Sequence, residues 1–267
     1  YLTESKKTQK MDLSFLISAC VGGDSLNVLM EEKVNTFLKQ HHCAYGVCKG
    51  YGMTELSATA VTSTPKANAI GSVGIPLVHN TVKIVDMDTN EELSYGKVGE
   101  ILISSPSIML GYYKNQEATQ EIITLDETGK KWIRTGDLGY INKDGLLFHQ
   151  GRIRRIYLTA VDGQPAKIFP NLVEEAIKSA APVEDCTVVA RCKQNSAYYE
   201  AVAYVILKDE AMTMDQVQCN DLFRRICKDK VPTYMCPVEY RYVKEFPHTP
   251  IGKVDFRKLE EMAALGR

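Results

Sequence analysis

Between Gly71 and Gln150 the chain breaks into short runs rich in branched apolar residues, among them VKIVD, GEILIS and LLFHQ, separated by glycine, asparagine and aspartate. None is long enough for a helix that could bury a stripe of side chains, and the residues between them favour turns, so this stretch is expected to form a β-rich subdomain. The flanks read differently. FLISA, at Phe15 to Ala19, reads as a short buried strand, followed by a Gly22-Gly23 turn and by Asp24 as a helix N-cap. Leu26, Leu29, Met30, Val34, Phe37 and Leu38 then recur at helical spacing, which predicts a helix with one face packed on a sheet. Strand, glycine turn and helix make an α/β unit. After Gly151 come a basic strand-like RIRRIYL, a helix NLVEEAIKSA, strands around CTVVARC and EAVAYVILK, and a helix over Asp215 to Lys230. The expectation is an α/β chain in two parts. Residues 1–151 form the first part (α/β segment 1–70, β-rich subdomain 71–151), and residues 152–267 form a small α+β domain.

Composition excludes several classes. The 267 residues carry a formal charge of -1 with both signs interspersed, which gives neither a nucleic-acid footprint nor a polybasic membrane anchor. No apolar run approaches bilayer-spanning length. The opening YLTESKKTQK lacks the apolar core of a signal peptide, which points to the cytoplasm, and it begins with Tyr1 rather than methionine, which points to a piece of a longer chain. The eight cysteines, Cys20, Cys43, Cys48, Cys186, Cys192, Cys219, Cys227 and Cys236, form no CxxC pair and read as reduced thiols. His41, His42, Cys43 and Cys48 match no common zinc spacing.

Five stretches carry candidate chemistry. GGDSL at 22 to 26 has the look of a GDSL-esterase nucleophile block, with Ser25 as nucleophile. No Asp-x-x-His base block follows, and His248 in EFPH is a poor substitute, so a turn and helix cap fit better. In YGMTELSAT the Tyr51 ring could stack on a flat base, while the Thr54 hydroxyl and the Glu55 carboxylate could hold phosphate and magnesium, which prefers hard oxygen ligands. GEILISSPSIMLGYYKNQEAT predicts a strand, a glycine-tyrosine turn and a short polar helix. In RTGD the Asp137 carboxylate, at a strand-edge turn, can accept both hydroxyls of a ribose, and Arg152, fifteen residues on, can add a donor. Near the end, HTPIGKVDFRKL sets Lys253 between a restricting Pro250, a permissive Gly252 and Asp255, which begins or caps the final helix.

Taken in order, YGMTE, GEILI with LGYY, RTGD, GR and PIGKVD resemble the core motifs of the adenylate-forming superfamily, which includes acyl-CoA synthetases, peptide-synthetase adenylation domains and luciferases. The resemblance runs from about Leu13 to Leu259. It implies a reaction in two halves. A carboxylate attacks the α-phosphate of ATP to give acyl-adenylate and pyrophosphate, and the thiol of coenzyme A then takes the acyl group. It also implies roles: Tyr51 with Gly52 packs on adenine, Thr54 and Glu55 contact phosphate and Mg2+, Asp137 and Arg152 clamp ribose, and Gly22 and Gly23 form the glycine turn beside adenine and the acyl pocket. Arg154 falls at the hinge, where the family usually keeps aspartate or lysine, and Lys253 acts on the α-phosphate from a rotating C-terminal lid. LTAVDGQPAKIFP, with Gly163 as a close-approach glycine, matches the loop lining the thiol tunnel, although it is longer and carries Pro165. The family's serine, threonine and glycine phosphate loop should precede YGMTE, and no such run is present in this sequence. The resemblance therefore implies the C-terminal half of an acyl-CoA synthetase, inactive alone, whose missing N-terminal part holds most of the acyl pocket. Its alternatives are an adenylation domain that loads a carrier-protein thiol and a non-catalytic binding protein with the same fold.

Overall fold

The computed structural model describes residues 7–23, 26–192, 196–208, 215–250 and 252–266. Asp24 and Ser25, and with them the expected cap and the esterase-like serine, lie outside the described residues. The chain divides into two compact units, Tyr1–Ile153 and Arg154–Arg267.

The first unit contains, in chain order, strand β1 (Cys20–Val21), helix α1 (Val28–Gln40), β2 (Cys48–Met53), β3 (Ala58–Thr62), β4 (Ser72–Pro76), β5 (Thr81–Val85), β6 (Gly99–Ser104), α2 (Gln116–Ile122), β7 (Ile123–Leu125), β8 (Lys131–Ile141) and β9 (Leu147–Arg152). Among the described residues all nine strands join one sheet in the order β1-β2-β3-β4-β9-β8-β6-β5, with β7 on β8. The first pair is parallel and the others are antiparallel. Strands of the 1–70 stretch are thus hydrogen-bonded into those of the 71–151 stretch through β3, β4 and β9. GEILIS is buried along its whole length between β5 and β8, which explains its nearly unbroken apolar run. Leu56, Val61, Ile84, Ile101, Ile103, Ile133 and Leu147 form the core beside it, each buried side chain stabilising the fold by about 1.5–3 kcal/mol.

Two expectations fail at the N-terminal edge. FLISA is not a buried strand: only Cys20 and Val21 pair, with Cys48 and Lys49, and Ile17 is 82% exposed. A strand needs a ladder partner, and β2 begins only at Cys48. Helix α1 starts later than expected, at Val28, capped by Asn27, whose side chain accepts from the Met30 amide at 2.7 Å. Nor does its apolar face pack as a stripe. Val28, Leu29 and Met30 are exposed, and the helix buries Leu38 and Glu31. The Glu31 carboxylate pairs with buried Lys49 and accepts from the Gly71 amide at 2.9 Å, while Lys49 also donates to the Ala69 carbonyl at 2.9 Å. The helix is therefore fastened to β2 by a buried, hydrogen-bonded ion pair, which is costly to break from one side.

The second unit contains β10 (Tyr157–Val161), β11 (Gln164–Ile168), α3 (Pro170–Lys178), β12 (Val183–Cys192), β13 (Tyr199–Leu207), α4 (Gln216–Lys230), β14 (Glu239–Tyr242) and α5 (Phe256–Ala264). β12, β13 and β14 form one sheet, antiparallel and then parallel. Val188, Ala203 and Val205 pack on one face with Ile177 of α3 and Phe223 of α4, whereas Val189, Val202 and Tyr204 pack on the other with Leu259 and Ala263 of α5. Alternate residues of β12 and β13 thus bury on opposite faces, so the strands read as continuous apolar runs. A capping box of Asp215 and Gln218 starts α4. RIRRIYL is not one strand: Arg152 ends β9, Ile153 to Arg155 make a 3-10 turn, and Tyr157 begins β10. The break follows from Arg155, whose guanidinium pairs with Glu174, donates to the Val188 carbonyl at 3.0 Å and lies 4.0 Å from the centre of the Phe256 ring.

Candidate functional site

The RTGD segment owes its shape to a register break. Glu100 pairs with Leu138 and Leu102 with Arg134, so Thr135, Gly136 and Asp137 together stand opposite Ile101. Such a bulge re-aims side chains. It is held from within: Gly136 takes a φ of 68°, the Thr135 hydroxyl donates to the Ile101 carbonyl at 2.8 Å, and the Asp137 amide donates back to that hydroxyl at 3.1 Å. Glu100, paired with Arg134, accepts from the Gly136 amide at 3.3 Å. A second break follows on the partner strand. Asp137 pairs with Arg152 and Leu138 with Gly151, but Gly139 pairs with His149, leaving Gln150 as the extra residue. Because a strand alternates faces, this single extra residue turns His149 and Arg152, three positions apart, to the face that carries Asp137.

The Asp137 carboxylate sits buried at the centre of the result. The Tyr51 hydroxyl, from β2, donates to Oδ2 at 2.7 Å. Arg152 Nε lies 3.3 Å from Oδ1 and His149 Nε2 lies 3.7 Å from it, yet Oδ1 has no hydrogen-bond partner. Burial pushes this carboxyl up. The neighbouring His149, the hydrogen bond from the Tyr51 hydroxyl and the Arg152 charge outweigh burial and hold it below its ordinary value, so it is an anion at neutral pH. Burial and the neighbouring Asp137 charge push the Tyr51 hydroxyl far up, so it remains a donor. A desolvated carboxylate oxygen without a partner costs about 1–3 kcal/mol or more. Each carboxylate oxygen can accept two bonds, so a vicinal diol can donate to both at once. Ribose presents such a diol.

A cleft of about 460 Å³ runs along Gly22, Gly23, Gly50, Gly52 and Thr54. Here β2 turns into β3 so closely that a Cβ on Gly52 would stand 1.9 Å from the Ala58 carbonyl oxygen. Thr54 to Leu56 form a 3-10 turn, and the Tyr112 hydroxyl, from the LGYY turn, donates to Glu55 Oε1 at 2.5 Å. Among the described residues no group of three or more His, Cys, Asp and Glu side chains could hold a metal alone. One carboxylate and one hydroxyl suit a cation that completes its shell with phosphate and water, as magnesium does.

The remaining expected residues belong to the second unit. Lys253 is exposed, on a turn closed by backbone bonds: Thr249 donates to the Lys253 carbonyl at 2.7 Å, Gly252 to the Thr249 carbonyl at 2.9 Å and Asp255 to the Pro247 carbonyl at 2.8 Å. Gly252 has a φ of 81°, and Asp255 caps α5 by accepting from the Lys258 amide at 3.1 Å. Arg154 is exposed in the 3-10 turn beside the anchored Arg155. The LTAVDGQPAKIFP segment is a hairpin of β10 and β11, not an irregular loop. Gly163 is there because Asp162 and Gly163 both take positive φ, at 50° and 80°, as a two-residue hairpin turn demands. A Cβ at Gly163 would meet nothing within 4 Å.

The structure thus joins Tyr51, Asp137 and Arg152 in one cluster and Gly22, Gly23, Gly52 and Thr54 along one cleft. Sequence reasoning missed His149 and Tyr112. His149 stands in LLFHQGR, where alternation would turn it away from Arg152, and only the bulge reverses that. The Tyr112 signal was the LGYY turn itself, which pointed to no partner.

Comparison with known proteins follows the same lines. The model of the AMP-binding enzyme family matches residues 1–113, and that of the AMP-binding enzyme C-terminal domain matches residues 172–253. A sulfoacetate–CoA ligase of Cupriavidus necator is 33% identical over 230 residues, 82% of this chain and 42% of the relative. A long-chain-fatty-acid–CoA ligase of Salmonella typhimurium is 29% identical over 265 residues, 98% of this chain and 43% of the relative. The chain therefore spans less than half the length of these relatives. The solved structure of the amide bond synthetase McbA from Marinactinospora thermotolerans is 26% identical, covering 98% of this chain and 49% of that one with a TM-score of 0.80. With both family models matched in order and CoA ligases among its relatives, the chain belongs to the AMP-binding, adenylate-forming enzyme superfamily.

Proposed function

We propose that the whole protein is an acyl-CoA synthetase, an AMP-forming acid–thiol ligase. In the first half-reaction a carboxylate oxygen bonds to the α-phosphorus of ATP and pyrophosphate leaves. In the second, the sulfur of coenzyme A bonds to the acyl carbonyl carbon and AMP leaves. Asp137, with Arg152 beside it, accepts the ribose hydroxyls, Tyr51 and the Gly52 turn border the base, and Gly22 and Gly23 line the cleft near it. Thr54 and Glu55 contact phosphate and would hold magnesium, which offsets phosphate charge when bound, and Tyr112 keeps the Glu55 carboxylate in one orientation. The second unit is the lid, turning about Arg154, and Lys253 brings one compact ammonium to the α-phosphate and the incoming carboxylate, whose like charges repel. The β10–β11 hairpin with Gly163 borders the thiol path. The observation that carries the reading is Asp137 Oδ1, a buried anionic acceptor without a hydrogen bond, flanked by two potential donors.

This chain contains no serine, threonine and glycine run of the phosphate-gripping kind ahead of YGMTE, and so offers the triphosphate no such nest of backbone donors. Carboxylate-dependent exchange of labelled pyrophosphate into ATP tests both points. The whole protein should exchange with at least one member of a panel of short, aromatic and long-chain acids, and residues 1–267 alone should stay at background. Exchange by the isolated chain refutes the dependence on the phosphate loop. A whole protein that exchanges with none of the acids, while binding AMP, refutes the ligase.

A further inference from the structure

His149 carries no role in the reading above, yet the fold spends a strand irregularity on presenting it. The extra residue Gln150 places His149 opposite Gly139, on the face shared by Asp137 and Arg152. Gly139 must be glycine there, because a Cβ would stand 2.5 Å from the Phe148 carbonyl oxygen. The imidazole lies against Tyr51, with ring centres 5.6 Å apart and planes tilted by 40°, and it keeps partial access to solvent.

The decisive distance is the 3.7 Å from Nε2 to Asp137 Oδ1. It is too long for a direct hydrogen bond and right for a shared one, because a hydroxyl oxygen at about 2.8 Å from each of two atoms bridges a gap of this size. A hydroxyl is the group that fits chemically, since it donates through its proton to a carboxylate while accepting through a lone pair from an N–H. Arg152 Nε, 3.3 Å from the same oxygen, shares this side of the carboxylate, whereas the Tyr51 hydroxyl occupies the other oxygen. The two ribose hydroxyls therefore meet unequal surroundings: the one at Oδ1 finds imidazole and guanidinium donors, the other a phenol.

Resting on the ribose-clamp reading of Asp137, we propose that His149 is a nucleotide-contacting residue: its imidazole N–H donates to the one ribose hydroxyl that itself donates to Asp137 Oδ1, so that His149 sets the discrimination between ribonucleotides and one class of deoxynucleotide. AMP, 2′-deoxy-AMP and 3′-deoxy-AMP titrated calorimetrically into the whole protein test this. His149→Phe should weaken AMP about 3- to 10-fold, the scale of one hydrogen bond. It should leave the affinity for one of the two deoxy forms within about 2-fold, because that form lacks the hydroxyl in question. His149→Gln, whose carboxamide still donates, should keep most of the discrimination. His149→Leu makes the same comparison with a smaller apolar side chain should the Phe variant fail to fold.

An equal fractional loss for all three nucleotides, or none for any, overturns the proposal. In the first case the ring only supports Tyr51. Asp137→Ala separates this failure from that of the clamp. If it loses AMP affinity while His149→Phe leaves discrimination intact, the inference alone falls. If it binds AMP as the wild type does, the clamp reading falls as well.

Discussion

Asp137 and Lys253 carry opposite charges and are presented in opposite ways. The carboxylate is buried, its backbone set by a bulge and its side chain surrounded by Tyr51 from β2 and by His149 and Arg152 from β9. The lysine is exposed, and what is fixed is the backbone beneath it: the bonds among Thr249, Gly252 and Lys253 close the turn, and Asp255 starts a helix just beyond. A group that recognises a ligand gains from burial, because its hydrogen bonds strengthen where water is excluded. A cation needed at one step gains from being carried on a defined turn with its own charge solvated until used. Under the proposed function, the first region serves affinity for the nucleotide and the second serves the chemical step.

Lys253→Ala gives the largest expected effect and can break that assignment. In the whole protein it should slow acyl-adenylate formation about 100- to 1000-fold, the usual scale for losing a charge contact made in the transition state. AMP affinity should stay within about 2-fold, and thioester formation from preformed acyl-adenylate should be largely kept. Stopped-flow adenylation, calorimetry with AMP and a single-turnover thioester assay measure the three. A loss of AMP affinity as large as the loss in rate would show that the two regions do not divide the work.

Arg154→Pro sharpens the comparison at the join, with a smaller effect. Arg154 is exposed in a 3-10 turn, whereas Arg155 beside it is anchored to Glu174, Val188 and Phe256. Proline there locks φ at a position proposed to turn between the two half-reactions. Thioester formation should fall about tenfold more than adenylation, on the scale by which misplacing a reacting group slows chemistry. Equal loss in both half-reactions would place the pivot elsewhere.

How far the sequence spoke depends on how local each feature is. β5, β6, β9, α3 and α4 were legible because their apolar patterns and turn residues act over a few positions. Asp137 and Arg152 stood out as members of ordered motifs, and the structure pairs them across β8 and β9. FLISA misled because a strand exists only where a partner ladder reaches it, and pairing begins at Cys20. Leu29 and Met30 misled because periodicity shows which residues share a face, not what covers it. His149 was invisible because strand alternation assigns it the wrong face, and the one-residue bulge that corrects this leaves no mark in composition. The Glu31–Lys49 pair was missed for a similar reason, since its two members meet only after α1 packs beside β2.

The central claim is that Asp137 and its neighbours form a ribose site on the first unit. Its most direct test is a backbone amide NMR titration of this chain with AMP, alongside Asp137→Ala. The account predicts saturable shifts concentrated at residues 51–54, 135–137 and 149–152, abolished in the variant, with the amide of Lys253 unmoved. Shifts that avoid the Asp137 cluster, or that persist unchanged in Asp137→Ala, would contradict it.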